Sequence, residues 1–285
     1  MQLTTEKLHV SKLPNEVIDR ACDHISQYTV GLSRVILKNN KEEFRLIGTG
    51  TLVTVGRLHC ILTAEHVVVE IRHSDKLSLL TSFSGALQRH VFEYAHLEIH
   101  RVARGKNDSI GPDVGIIVLP QNHIGRLKAE KTFFNIDKRR ERFSETVLDK
   151  ERGFWFTTGV IGESEQTFEP TRSFSSIKGY LGLCGTAANP VESETDGYDY
   201  IEMHVDYSTP SHKLPDSFGG CSGAGVWQVP MHKNAEGKIV DEEFLLSGIV
   251  FYQTAVEDEV RRIRCHGRRT IYRIVPLYMD GIKRS

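Results

Sequence analysis

Short apolar or alternating runs, separated by turn residues, constrain the fold of this chain more than any other feature of its sequence. Six such runs occupy its first half, at residues 28–37, 44–55, 58–63, 77–83, 91–102 and 114–119. Six more follow, at residues 154–161, 174–184, 198–205, 225–229, 244–252 and 270–275. Many short strands bounded by Gly, Asn and Asp are typical of β-barrels. We therefore predict an all-β fold of two antiparallel six-stranded β-barrels.

The remaining segments lack this pattern. Residues 1–26 predict a short helix that begins at Pro14 and packs on a barrel through one apolar face. The members of that face are Val17, Ile18, Ala21, Cys22 and Ile25. Residues 121–152 are rich in charge, which favours a solvated linker between a first barrel at 27–120 and a second at 153–285. The basic run 261–269 is interpreted as a solvated hairpin loop rather than a nucleic-acid groove.

Charge and hydropathy exclude several classes of partner. With 36 Lys and Arg against 37 Asp and Glu, the net charge is −1, which argues against nucleic acid or an anionic membrane as a partner. No run of 18 apolar residues is present, and residues 1–7 lack the layout of a signal peptide. We therefore expect a cytoplasmic protein.

The cysteines and histidines lack metal-site spacing. The five cysteines form no CxxC pair, and their odd number favours free thiols in a reducing compartment. His73, His96 and His100 form no HExxH pattern. We expect neither a metal nor another cofactor.

A glycine-rich stretch at residues 216–227 carries the strongest chemical signal. Gly220 and Gly223 flank Ser222 in a turn that lets backbone N–H groups converge beside a hydroxyl, as acyl transfer requires. A serine hydroxyl attacks a carbonyl only when a base accepts its proton. Taken alone, the pattern also fits an ordinary turn.

Two further segments join this one in a resemblance to the trypsin-like (chymotrypsin-fold) serine peptidases. Leu-Thr-Ala-Glu-His66 follows the small-residue strand 48–53, and Asp113 opens the apolar strand 113–119. His, Asp and Ser stand in the family's chain order. Over roughly residues 27–280, the resemblance implies a base at His66, an orienting carboxylate at Asp113 and a nucleophile at Ser222. It also implies an oxyanion hole from the N–H groups of Gly220 and Ser222, and a C-terminal helical turn.

The chain departs from the family at two positions. Cys221 is a rival nucleophile, but the glycine follows Ser222 directly, and this register favours serine. Cys221 also stands where digestive members carry the aspartate of their zymogen switch, so the activity must be held in check in a different way. We expect a regulatory protein among the partners. Val67 stands where secreted members carry a cysteine, which favours a bacterial-type intracellular member.

Specificity depends on three residues by the same resemblance. Asp216 matches the base of the pocket for the side chain before the scissile bond, where a buried carboxylate favours cleavage after Arg or Lys. Gln253 and Thr270 fall where trypsin-like members keep glycine, and either side chain would narrow that pocket. If the side chains of Gln253 and Thr270 determine specificity, the enzyme cleaves after small residues instead.

The expected function is a serine endopeptidase acting on a protein or peptide substrate through His66, Asp113 and Ser222. Two alternatives stay open. One is a catalytically silent binding or scaffold protein, against which the intact residue set argues. The other is an esterase or other acyl hydrolase that uses the same three residues.

Overall fold

The computed structural model describes residues 13–38, 41–81, 88–105, 107, 109–143, 153–168, 177–208, 214–234, 236–241 and 243–282. For residues 38, 41, 164–168, 177–189, 232, 233 and 241 it describes only the backbone. Parts of the predicted segments 1–26, 77–83, 121–152 and 174–184 therefore lie outside the described residues. Two antiparallel sheets dominate, so the predicted all-β class is confirmed.

The first sheet has eight strands, in the order β5-β4-β1-β2-β3-β7-β6, with β8 parallel to β2. Their bounds are β1 Thr29–Lys38, β2 Lys41–Val55, β3 Leu58–Thr63, β4 Lys76–Leu80, β5 Arg89–Glu93, β6 Glu98–Arg104, β7 Asp113–Val118 and β8 Phe134–Asn135. The predicted count of six is wrong. The run 91–102 is broken by a 3₁₀ turn at Tyr94–His96, because β5 pairs with β4 while β6 pairs with β7.

Six strands of the second sheet close into a barrel, in the order β10-β11-β16-β15-β12-β9. Their bounds are β9 Phe154–Phe168, β10 Ile177–Thr195, β11 Tyr198–Asp206, β12 Gly225–Val229, β15 Leu245–Gln253 and β16 Val260–His266. A separate hairpin joins β13 Met231–Lys233 to β14 Ile239–Asp241. The barrel of six strands is thus confirmed here.

One of these six strands is not the one predicted. The run 270–275 forms a π-helical turn at Thr270–Ile274, and the sixth strand is β16, within the basic run. In β16 the side chains of Arg261, Ile263 and Cys265 are buried while that of Arg262 is exposed. The prediction of a solvated hairpin loop at 261–269 is wrong. β16 pairs with β11 and β15 in the closed barrel, so one face of the strand lies inside it.

The helices are short and lie outside the sheets. Their bounds are α1 Asn15–Ser26, α2 Glu65–Ile71, α3 Gln121–Lys128, α4 Asp137–Phe143 and α5 Val275–Ile282. The predicted N-terminal helix and C-terminal helical turn are confirmed, and Val17, Ala21 and Ile25 of α1 are buried in the core. None of the helices in the described part of the chain is long and apolar enough to span a membrane.

The segment expected to be a solvated linker contributes to the core. Phe134 of β8 is buried, and its ring lies 5.2 Å from that of Trp227 in the second sheet. The ring of Tyr28 lies 5.0 Å from Trp227 and 5.9 Å from Phe134. Lys131 is also buried, and burial lowers its pKa to about 8. Charge density did not indicate exposure here, because the apolar residues between the charges face inward.

One hydrophobic cluster joins the two sheets. It contains Val53 and Leu62 from the first sheet together with Phe156 and Trp227 from the second. Burial of apolar area is the main favourable term in folding. The same contacts that stabilise the chain therefore fix the two sheets against each other.

The cysteines do not all remain free thiols. Cys60, Cys221 and Cys265 are buried and form no disulfide, whereas Cys22 of α1 is disulfide-bonded. The prediction of five free thiols is wrong at Cys22. An odd count does not exclude a bonded pair, since only folding decides which cysteines meet. The thiol count therefore no longer supports a reducing compartment.

We expect Phe134→Ala to lower the free energy of unfolding by about 3–5 kcal/mol, because it leaves a cavity beside Trp227 and Tyr28. Chemical denaturation followed by tryptophan fluorescence measures this change. Leu37→Ala is the control: its side chain is 77% exposed, and the expected change is within about 0.5 kcal/mol. Equal effects of the two substitutions would contradict the placement of Phe134 in the core.

Candidate active site

His66 and Asp113 meet through the pairing of two neighbouring strands. β3 pairs with β7, which places the start of α2 next to the first residue of β7. Asp113 Oδ2 lies 2.6 Å from His66 Nδ1, and Asp113 Oδ1 accepts the backbone N–H of His66 at 3.0 Å. One carboxylate therefore fixes both the ring and the backbone of His66. With its proton held on Nδ1, the neutral imidazole presents Nε2 as the acceptor nitrogen.

The backbone of Asp113 is held in turn from the second sheet. Its N–H donates to Nε2 of His266 at 2.9 Å, and His266 is completely buried in β16. The imidazole lies among the rings of Tyr198, Tyr200 and Phe251, with centroids 4.8 to 6.1 Å away. Since Nε2 accepts, the neutral ring carries its proton on Nδ1, a buried atom that has no hydrogen-bond partner among the described residues. Burial lowers the pKa of His266 to about 4, against the opposing charge of Asp113.

A second buried carboxylate lies beside the pair. Glu65 precedes His66 at the start of α2, and Arg101 Nε of β6 donates to its Oε1. A buried carboxylate is costly unless it is paired. The ion pair thus offsets the cost of burying Glu65 and anchors α2 to the first sheet.

Thr49 of β2 holds the turn that contains Ser222. Its backbone N–H donates to the carbonyl of Ser222 at 2.8 Å, and its Oγ1 donates to the carbonyl of Gly220 at 2.7 Å. The same Oγ1 accepts the N–H of Val160 at 3.0 Å, and the Thr49 carbonyl accepts the hydroxyl of Thr63 at 2.7 Å. A single residue of the first sheet therefore orients two carbonyls of the turn.

The N–H groups of this turn fall into two sets. Those of Cys221, Gly223 and Ala224 donate to backbone carbonyls at 2.7 to 2.9 Å. Those of Gly220 and Ser222 donate to no group among the described residues. Two unused donors on either side of Cys221 are what an oxyanion hole requires.

Two glycines permit this arrangement. Gly220 and Gly223 have φ values of +100° and +92°, which other residues rarely adopt. A Cβ at Gly223 would lie 2.0 Å from the carbonyl oxygen of Thr49, and one at Gly220 would lie 2.6 Å from that of Val160. Any side chain at these positions would displace the turn from its support.

Ser222 and Cys221 differ in their fitness to attack. The Cys221 thiol is buried, with Sγ 3.8 Å from the carbonyl oxygen of Val160, and burial raises its pKa to about 12. A thiolate is the reactive form, so this thiol is inert at neutral pH. Ser222 is only partly buried. The environment is consistent with the register argument for serine.

The turn and the histidine helix share a contact at Gly48. A Cβ at Gly48 would lie 3.0 Å from the carbonyl oxygen of Ser222 and 2.7 Å from Cγ2 of Val67, the residue after His66. Within the described residues, however, the Ser222 hydroxyl makes no hydrogen bond to His66. Such bonds are often long before substrate binds. The structure thus joins His66 to Asp113 directly and brings the Ser222 turn alongside them.

The three residues expected to shape a specificity pocket have different environments. The Asp216 side chain is exposed, so the expectation of a buried carboxylate is wrong, and its carbonyl accepts Arg261 Nη1 at 2.6 Å. Gln253 is partly buried: its Oε1 accepts the N–H of Phe218 at 2.8 Å, and its Nε2 donates to Ser217 Oγ at 3.0 Å.

Thr270 does not join this group. It lies in the π-helical turn, where its N–H and hydroxyl donate to Asp199 Oδ1 at 2.8 and 2.7 Å. In the resemblance to the trypsin-like peptidases, Thr270 follows the basic run 261–269. Because β16 takes up Val260–His266 of this region, Thr270 falls beyond the strand and lies apart from Asp216 and Gln253.

Sequence reasoning missed Thr49, His266 and Arg261. A period-two pattern is present in Arg261-Arg-Ile-Arg-Cys-His266 and would have identified a half-buried strand. Nothing in the sequence indicates that His266 meets Asp113. Among the described residues, no group of three His, Cys, Asp or Glu side chains is arranged to hold a metal ion.

Comparisons with known proteins add little. No family model and no curated protein matches the chain. A solved structure from work on the coupled folding and binding of the intrinsically disordered Sesbania mosaic virus VPg protein is similar at 13% identity and a TM-score of 0.41. The match covers 87% of this chain and 90% of the other. At that distance it carries no argument about fold or activity.

We expect the stability of the protein to fall between pH 6.5 and about 4 because of His266. The ordinary pKa is 6.5 and the folded value is about 4, so in this window the unfolded chain binds a proton that the folded chain excludes. Stability attributable to this group is therefore present above pH 6.5 and is lost as the pH falls towards 4. Between pH 7 and 4.5 the loss is about 2 kcal/mol.

Urea denaturation of the wild type and of His266→Gln at both pH values measures this effect, since Gln can still accept the N–H of Asp113. The wild type should lose about 2 kcal/mol more than the variant over this interval. The same loss in both proteins would assign the pH dependence to other groups.

Proposed function

We propose that this chain is a trypsin-like serine peptidase that hydrolyses peptide bonds through His66, Asp113 and Ser222. One observation carries the proposal. The Asp113 carboxylate binds both Nδ1 and the backbone N–H of His66, beside a turn whose two unused N–H groups flank Cys221. A base, its orienting acid, a hydroxyl and an oxyanion site are the components of acyl transfer.

In the proposed reaction, Ser222 Oγ attacks the scissile carbonyl carbon as His66 Nε2 accepts the hydroxyl proton. Asp113 stabilises the resulting imidazolium. The carbonyl oxygen becomes an oxyanion and accepts the N–H groups of Gly220 and Ser222. His66 then protonates the leaving amine as the C–N bond breaks, and water hydrolyses the acyl-enzyme by the same steps in reverse order.

Two features support the oxyanion role of the turn. The peptide units that carry the two donors are held through their own carbonyls: that of Gly219 accepts the N–H of Gly162, and that of Cys221 accepts the N–H of Ala224, both at 2.8 Å. Donors that need no rearrangement stabilise a transition state more than mobile ones do. The loss of one such donor costs about 3–4 kcal/mol.

One observation favours the alternative of a silent binding protein. The hydroxyl of Ser222 makes no hydrogen bond to His66 within the described residues. In such a protein the same groups would serve to hold the two sheets together. Covalent labelling separates the two functions.

We expect a fluorophosphonate probe to label Ser222 at neutral pH, because the probe needs an activated hydroxyl next to an oxyanion site. Mass spectrometry of the labelled peptide identifies the residue. Cys221→Ala should keep its labelling, since that thiol is buried, whereas Ser222→Ala and His66→Ala should lose it. Absence of labelling in a folded wild-type protein would support the silent alternative.

We expect Asp113→Asn to lower kcat by about 10⁴-fold, the loss associated with this change in the Ser-His-Asp template. The Asn oxygen would accept the backbone N–H of His66, so its amide NH₂ would face Nδ1 and force the proton onto Nε2. Turnover of a fluorogenic peptide measures the effect. Asp19→Asn, on the exposed side of α1, is the matched control and should leave kcat unchanged.

A further inference from the structure

Arg261 is a buried cation under the loop that leads into the Ser222 turn. Its residue is 8% exposed, and its guanidinium carbon lies 5.6 Å from the ring centroid of Tyr207 and 6.0 Å from that of Phe218. Cys221 N–H donates to the Phe218 carbonyl at 2.9 Å, so Phe218 is one hydrogen bond away from the residue between the two oxyanion donors. Arg261 thus lies close to the turn of the candidate site.

The hydrogen bonds of Arg261 use only one of its nitrogens. Nη1 donates to the carbonyl of Asp216 at 2.6 Å and to Gln253 Oε1 at 3.3 Å. Nε is buried, and neither Nε nor Nη2 makes a hydrogen bond to any described residue. Nε and Nη2 form one edge of the guanidinium, and such an edge binds a carboxylate through two parallel hydrogen bonds.

No carboxylate among the described residues occupies that edge. Asp216 and Glu163 are acidic residues near Tyr207, the aromatic neighbour of Arg261, and both are exposed. Glu163 Oε2 accepts the N–H of Ser217 at 3.1 Å, and neither carboxylate forms an ion pair with Arg261. A buried charge without an opposite charge is costly. A ligand that supplies a carboxylate would offset that cost.

The direction of the reaction places such a carboxylate in the substrate. His66 belongs to the first sheet and protonates the leaving amine, so the leaving group lies on that side of the scissile bond. The acyl side therefore extends over the second sheet, where the loop 216–220 and Arg261 lie. A side chain on the residue that supplies the scissile carbonyl reaches this region first.

From these contacts, and resting on the proposed function, we propose that Arg261 is a specificity residue that selects Glu or Asp at the position before the scissile bond. The preference is opposite in charge to the one expected from Asp216. Asp216 cannot act as a buried counter-charge for a basic substrate, because its side chain is exposed and its carbonyl binds Arg261.

Hydrolysis of matched peptides tests the proposal. Fluorogenic peptides would differ only at the residue before the scissile bond, with Glu, Gln, Lys or Ala there, and kcat/KM would be measured for each. We expect the wild type to favour Glu over Gln and over Lys by at least tenfold, and Arg261→Gln to lose most of that ratio. Fluorophosphonate labelling of Ser222 should persist in Arg261→Gln, which would show that the active turn is intact.

Arg262→Gln is the matched control, because Arg262 is the next residue of the same strand and is exposed. It should keep the wild-type preference. Arg261→Lys should keep part of it, since the charge remains but the two-bond geometry is lost, and it serves if Arg261→Gln does not fold. A wild-type preference for Lys, or equal rates for Glu and Gln, would overturn the proposal.

Binding separates this proposal from the proposed function. The same peptides, capped at both ends, would be titrated into Ser222→Ala by calorimetry, with and without Arg261→Gln. Tighter binding of the Glu peptide that depends on Arg261, without hydrolysis by the wild type, would support the acidic site and reject the peptidase. If the wild type hydrolyses the peptides, and neither hydrolysis nor binding depends on the Glu side chain, the result would support the peptidase and reject the acidic site.

Discussion

The contacts of Thr49 are the interaction on which the candidate site depends. Through its N–H, its hydroxyl and its carbonyl it connects β2 with the Ser222 turn, with Val160 of β9 and with Thr63 of β3. A hydrogen bond of this kind contributes only about 1 kcal/mol to stability. Its structural effect is larger, because the two peptide units that Thr49 holds alternate along the turn with the two units whose N–H groups have no partner among the described residues.

The site exists only where the two sheets meet. His66 and Asp113 come from the first sheet, whereas Ser222 and His266 come from the second. Hydrophobic burial around Trp227 and Phe156 holds the sheets together, but it does not fix how one sheet is oriented against the other. The relative orientation of the sheets comes from a few hydrogen bonds across the interface, above all those of Thr49 and the one from Asp113 N–H to His266. Stability and site geometry are thus carried by different residues at the same interface.

The sequence supported those predictions that rest on local patterns. Alternation predicted most strands, the apolar face of α1 predicted its packing, and the order of His66, Asp113 and Ser222 indicated which residues to examine. It failed where the decisive neighbour is distant in the chain. Lys131 and Phe134 are buried within a segment dense in charge, and Cys22 is disulfide-bonded despite an odd cysteine count.

The sequence by itself determined the β class and the residues proposed to perform acyl transfer, because strand periodicity and short glycine motifs are properties of neighbouring residues. Tertiary structure alone decided which charge is buried beside the Ser222 turn. The spacing of Asp216 from Ser222 predicts a buried carboxylate, yet its side chain is exposed, and the closed barrel buries Arg261, which is 45 residues further along the chain. Burial depends on which residues pack over a side chain. Those that bury Arg261 come from strands distant in the sequence, so no local pattern predicts the contact.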